Sequence, residues 1–151
     1  MMTGELKSGT YGVDHVGLSV RDLMSTRKFF CECLGWRVVG ERPDYPAVFV
    51  SDGRAIVTLW QVESPSKARA FDRRANVGLH HLALAVVDQA GLETLHKQVS
   101  NWPGVEVEFG PQVLGAGPKI HFMVREPSGV RIEFAFDPRL EEARKRKEQR
   151  L

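Results

Sequence analysis

The sequence predicts an α+β protein made of two paired βαβββ modules, and three observations carry that reading. The segment VDHVGLSVRDL (13–23) returns as LHHLALAVVDQ (79–89), an internal repeat. Each copy alternates apolar and polar residues as a half-buried strand does, then ends on an Asp, Asp22 or Asp88, able to cap a helix. Three short strand-like segments bounded by turn residues follow each predicted helix. The expected divisions are an N-terminal extension (1–10), a first module (11–62), a connecting loop (63–78), a second module (79–137) and a charged C-terminal tail (138–151).

In the first module the helix after Asp22 places Thr26, Phe29, Phe30, Cys33 and Leu34 on one face, and Gly35 ends it. Strands follow at 36–41, 46–51 and 54–62, with Asp52-Gly53 as a tight turn. Residues 63–77 are polar and contain Pro65, so they read as a loop. In the second module the helix after Asp88 places Leu92, Leu95, His96 and Val99 on one face and stops near Asn101, ahead of Pro103. Strands follow at 105–109, 120–126 and 130–136, with a loop at 110–118 and Pro127-Ser128-Gly129 as a turn. The tail from Arg139 to Leu151 reads as a solvated helical end.

With 151 residues, 42% of them hydrophobic, the chain is long enough to bury a core without disulfides. Cys31 and Cys33 stand two apart in a helical pattern and point to different sides, which fits a reducing compartment. No stretch approaches the roughly 20 apolar residues of a membrane span, and the opening MMTGELKSGT has no apolar run; the expectation is a cytoplasmic protein. Net charge is +2, and the tail, with six basic and three acidic residues, carries +3, so the body is near −1. That balance argues against nucleic acid as a partner, as the missing apolar stretch argues against a membrane.

Alternation also sorts the chemistry. In the first strand Val16, Leu18 and Val20 face the helix, and His15, Gly17 and Ser19 face away. In the fifth, His80, Leu82, Leu84 and Val86 face the helix, and His81, Ala83 and Ala85 face away. Both repeats thus present His-x-small-x-small on a face with room in it. In the last strand Glu133 lies between Ile132 and Phe134 on the same open side, where an unpaired carboxylate is costly and needs a cation. Two neutral imidazoles and a carboxylate suit a first-row divalent metal with open positions, so His15, His81 and Glu133 are the expected ligands. Taken singly, each His reads as a hydrogen-bonded strand residue and Glu133 as a partner of Arg131 or Arg125. The equivalent places of His15 and His81 in the two repeats favour the metal. His121, Met123 and Arg125 alternate on the same side. His121 is the candidate catalytic base; Arg125, Met123 and Trp60 are candidate substrate contacts, Arg125 for an anionic group.

These residues resemble the vicinal oxygen chelate superfamily, which includes glyoxalase I, methylmalonyl-CoA epimerase, extradiol dioxygenases, fosfomycin-resistance enzymes and bleomycin-resistance proteins. The carriers, spread over residues 11–137, are DHVGLSVRDL with His15, LGW at 34–36, GLHHLALAV with His81 and EPSGVRIEF with Glu133. The resemblance implies a half-open eight-stranded barrel around one metal (Fe, Mn, Ni, Co or Zn), held from the first, fourth, fifth and eighth strands. Here those positions are His15, a place near Thr58, His81 and Glu133. Thr58 departs from the carboxylate of glyoxalase I and the Gln of the epimerase. Met123 stands where extradiol enzymes carry a Tyr, and 63–77 holds no His. The implied protein is a homodimeric, metal-dependent enzyme acting on a small metabolite with neighbouring oxygens, of lyase/isomerase or dioxygenase type. The alternatives are a non-catalytic binding or resistance protein of the same fold and a fosfomycin-type epoxide-opening transferase.

Overall fold

The computed structural model describes residues 8–148. Its elements in order are β1 (Val16–Val20), α1 (Leu23–Lys28) running into a π turn (Phe29–Cys33), β2 (Arg37–Arg42), β3 (Ala47–Ser51), β4 (Ile56–Gln61), a short 3-10 turn (Pro65–Lys67), β5 (Leu82–Ala85), α2 (Gln89–Ser100), β6 (Glu106–Val113), β7 (Ile120–Arg125), β8 (Arg131–Phe136) and α3 (Pro138–Glu148). The strands form two four-stranded sheets, ordered β1-β4-β3-β2 and β5-β8-β7-β6. In each sheet the first and last strands of the module run parallel and the other neighbours antiparallel. The repeat in sequence is therefore a repeat in topology, and the α+β class with two βαβββ modules is as predicted.

Both predicted helix starts form. Asp22 Oδ1 accepts from the Ser25 amide at 3.0 Å, and Asp88 Oδ1 accepts from the Gly91 amide. These side-chain caps satisfy amides that have no partner inside the helix. After Lys28 the helix widens into the π turn, and Phe29 and Phe30 both reach the core, as expected of the shared helix face. Their rings meet edge to face, as do those of Phe30 and Trp36. Gly35 then turns the chain out with φ +74°.

The core lies on the helix-facing sides of both sheets. Leu18, Val20, Val57 and Leu59 from one join Leu92, Val99, Phe122, Ile132 and Phe134 from the other in one apolar cluster. Side chains also bind module to module: Thr26 Oγ1 donates to Glu126 Oε2 at 2.6 Å, the Asp22 amide to Ser128 Oγ at 3.0 Å, and Gln98 to the Cys33 carbonyl.

Two expectations are corrected. His80 does not lie under a helix: β5 begins at Leu82, and His80 sits exposed ahead of it. The sixth strand does not stop at Phe109. Its ladder with β7 continues to Val113, because Gly110 and Pro111 fall within a bulge where no ladder bond is required of Pro. The tail forms α3 as far as Glu148; residues 149–151, like 1–7 of the expected N-terminal extension, lie outside the described residues. No helix among the described residues is long and apolar enough to cross a membrane.

Candidate active site

The face of the second sheet turned away from α2 carries the chemistry. Cross-strand register aligns Ala83, Glu133 and Met123 in one row and Ala85, Ala135 and His121 in the next. Ala83 and Ala85 leave the Glu133 side of β5 open. Glu133 is only 6% exposed and lies between two imidazoles. Its Oε2 stands 3.0 Å from His81 Nε2, and its Oε1 accepts from His121 Nδ1 at 2.8 Å. His121 is buried, with the Phe109 ring against it.

Neither nearby arginine takes Glu133 as its partner. Arg131 donates from Nε and Nη2 to Glu108, at 2.9 and 2.8 Å, and Arg125 Nε meets the same carboxylate at 3.0 Å. The Arg131 bonds hold Glu108 below the usual carboxylate range. Glu108 thus occupies both guanidiniums and leaves Glu133 to the histidines.

Hydrogen-bond bookkeeping gives the protons. Arg131 Nη1 stands 3.1 Å from both the carbonyl oxygen and Nδ1 of His80. A guanidinium only donates, so His80 Nδ1 is a lone pair. His81 Nδ1, 2.7 Å from that lone pair, must then carry a hydrogen. In neutral His81 the lone pair is on Nε2, the atom facing Glu133 Oε2. Two acceptors at 3.0 Å require something positive between them, a proton or a cation. In an octahedral site two neighbouring ligands, each about 2.1 Å from the metal, stand about 3.0 Å apart. The pair is spaced as an imidazolium–carboxylate ion pair is, and equally as two donors of a divalent ion are.

Of the three expected ligands the structure brings together His81 and Glu133 and adds His121 to them. His15 heads β1 in the other sheet, its side chain half exposed and its Nδ1 donating to Asp14 Oδ2 at 2.6 Å. Among the described residues no three His, Cys, Asp or Glu groups are placed to hold one ion together.

The matching face of the first sheet is different. Thr58 pairs with Gly17 and Phe49, as Glu133 pairs with Ala83 and Met123, so Thr58 does hold the fourth-strand place. Its Oγ1 is committed, accepting from the Trp60 indole at 2.9 Å. Trp60 packs against Tyr45 and Phe49, with ring centroids 5.1 and 5.7 Å away. A Cβ on Gly17 would come within 3.3 Å of Thr58 Oγ1, which favours glycine there. A cavity of about 340 Å³ borders Ala85 and Ala135, with Arg54, Leu140 and Ala143 around it.

Sequence reasoning missed Glu108, Tyr45 and Phe49, and read Arg131 as a candidate partner of Glu133 where it pairs with Glu108. For Glu108 a signal existed: an acid on the sixth strand faces two arginines on strands seven and eight, the opposite-charge pattern that stabilises neighbouring strands.

Fold and site define a βαβββ protein with an acid–imidazole cluster on its open sheet face. Residues 12–134 match the Glyoxalase/Bleomycin resistance protein/Dioxygenase superfamily, and the chain belongs to that superfamily. Among solved structures, a glyoxylase/bleomycin resistance protein/dioxygenase domain from Frankia sp. EAN1pec aligns with TM-score 0.72 at 24% identity, covering 85% of this chain and 98% of that one. A glyoxalase-related enzyme from Fulvimarina pelagi gives 0.67 at 21%, covering 85% and 90%. A lactoylglutathione lyase from Agrobacterium tumefaciens gives 0.65 at 20%, covering 85% and 96%. At these identities the likeness is one of fold. No curated protein matches the sequence significantly.

Proposed function

We propose that the protein is a metal-dependent enzyme acting on a small metabolite that offers two neighbouring oxygens to a divalent ion, with lyase or isomerase chemistry. One observation carries this reading: His81 Nε2 and Glu133 Oε2 face each other at 3.0 Å on the sheet face turned away from α2, a spacing that two neighbouring donors of one divalent ion have. His81 and Glu133 would hold the ion, with His15, set by Asp14 at the equivalent place of the other repeat, as third donor. When bound, a metal from the Fe, Mn, Ni, Co, Zn group polarises the substrate oxygens and stabilises negative charge developing on them. Because His121 spends Nδ1 on Glu133, its Nε2 is left as the base that moves a proton. Arg125 commits Nε to Glu108 and offers the rest of its guanidinium to an anionic group. Met123 and Trp60 flank the substrate.

The aromatic face around Trp60, with Thr58 in place of a carboxylate, favours a second reading, a binding protein without catalysis. Metal analysis of protein purified without added metal separates the two. Stoichiometric divalent metal that disappears in His81→Ala supports the enzyme; none in either protein supports the binder. With metal bound, a screen of dicarbonyl–thiol adducts, catechols and epoxides locates the substrate. His121→Ala then lowers kcat by about 10²- to 10⁴-fold, measured at saturating metal.

A further inference from the structure

We infer that His80 is a positioning residue: its Nδ1 holds the hydrogen of His81 on Nδ1, so that Nε2 of His81 is presented bare beside Glu133. The inference rests on the metal reading above and extends it outward by one layer of side chains.

A continuous set of contacts carries it. Glu108 grips Arg131 through Nε and Nη2. Arg131 in turn reaches the carbonyl oxygen and Nδ1 of His80 with Nη1. His80 Nδ1 then stands 2.7 Å from His81 Nδ1, the two rings meeting edge to face at 5.0 Å. With a hydrogen on its Nδ1, His80 would oppose the Arg131 N–H, donor against donor, so the arrangement favours His80 as acceptor and His81 Nδ1 as donor. Packing gives no other reason for the arrangement, since His80 is exposed and precedes the strand.

The other repeat supplies an independent observation. There the residue just ahead of the candidate ligand is Asp14, and Asp14 Oδ2 accepts from His15 Nδ1 at 2.6 Å. The dipeptides are Asp-His and His-His, yet both place an acceptor on Nδ1 and leave Nε2 free. The hydrogen bond made by one imidazole nitrogen decides whether the other is available to a metal. His80, anchored through Arg131, does in the second module what a carboxylate does in the first.

Cobalt titration tests this, using the unsubstituted protein, His80→Ala, His80→Asn and His81→Ala, followed by visible absorption. Asn places an amide oxygen near the Nδ1 position and keeps an acceptor without adding charge. His80→Ala is expected to bind Co2+ about 10- to 100-fold more weakly, with an altered d–d spectrum and unchanged far-UV circular dichroism. His80→Asn should restore most of the affinity and the original spectrum. Unsubstituted affinity and spectrum in His80→Ala, with binding lost in His81→Ala, would overturn the role of His80 and leave the metal site standing. His80→Asn as weak as His80→Ala would likewise overturn it, because the acceptor would not be what matters. Failure of the unsubstituted protein to bind Co2+ would overturn the metal reading and this inference together.

Discussion

Glu126 is 1% exposed and forms no ion pair among the described residues, yet it is fully partnered. Its Oε2 accepts from Thr26 Oγ1, and its Oε1 from the amides of Ser128 and Val130, at 2.9 and 3.0 Å. Removing the side chain strands three donors, each costing about 1–3 kcal/mol when buried, so Glu126→Ala should lose about 3 kcal/mol or more in urea unfolding. Glu126→Gln keeps an oxygen for the amides and should lose far less. Burial, partly opposed by these hydrogen bonds, pushes the Glu126 carboxyl above the ordinary range. The folded chain thus binds this proton at higher pH than the unfolded chain does. Between the ordinary pKa and the raised one, stability contributed by this group rises as pH falls. Unfolding measured across that window should show this slope in the native protein and not in Glu126→Gln. Glu133 was legible in the sequence because it interrupts an apolar strand. Glu126 was not: it stands before Pro-Ser-Gly, where a solvated acid is the ordinary expectation, and its partner Thr26 lies in the other module.

At the scale of elements, period-2 alternation was legible wherever one face of a strand meets the helices. In β8, Ile132, Phe134 and Phe136 face the core as predicted, but Arg131, Glu133 and Ala135 are buried too. Alternation cannot report a polar face covered by neighbouring side chains, which is why the Glu108–arginine cluster went unread. The π turn escaped because Thr26, Phe29, Phe30, Cys33 and Leu34 fit the apolar stripe of a regular α-helix, so the pattern carries no mark of the wider turn. The length of β6 escaped because Gly110-Pro111 has the composition of a loop and the backbone of a bulge. Phe134 is stacked on Phe122 with centroids 4.8 Å apart and is 1% exposed. Phe134→Ala leaves a cavity at that stack and should cost about 3–5 kcal/mol. Thermal and urea unfolding check the magnitude.

For the whole molecule, the internal repeat revealed the topology but not how the halves are joined or how far their faces have diverged. One half keeps acid and imidazole at its centre, while the other has replaced them with Thr58 under Trp60. What joins the halves is one apolar cluster plus the Thr26–Glu126 bond across the modules. A shared core makes the modules one cooperative unit, so a defect confined to the junction must weaken both sheets. Thr26→Val keeps the shape of a fully buried side chain and removes the hydroxyl that Glu126 Oε2 and Ser128 Oγ contact. It should cost about 1–3 kcal/mol. Native-state hydrogen exchange reads where that loss appears. Equal loss of protection in β3 and in β7 is expected, since both open only when the common core does. Loss confined to one sheet would mean that each module unfolds by itself, with the contacts across the junction contributing little to either.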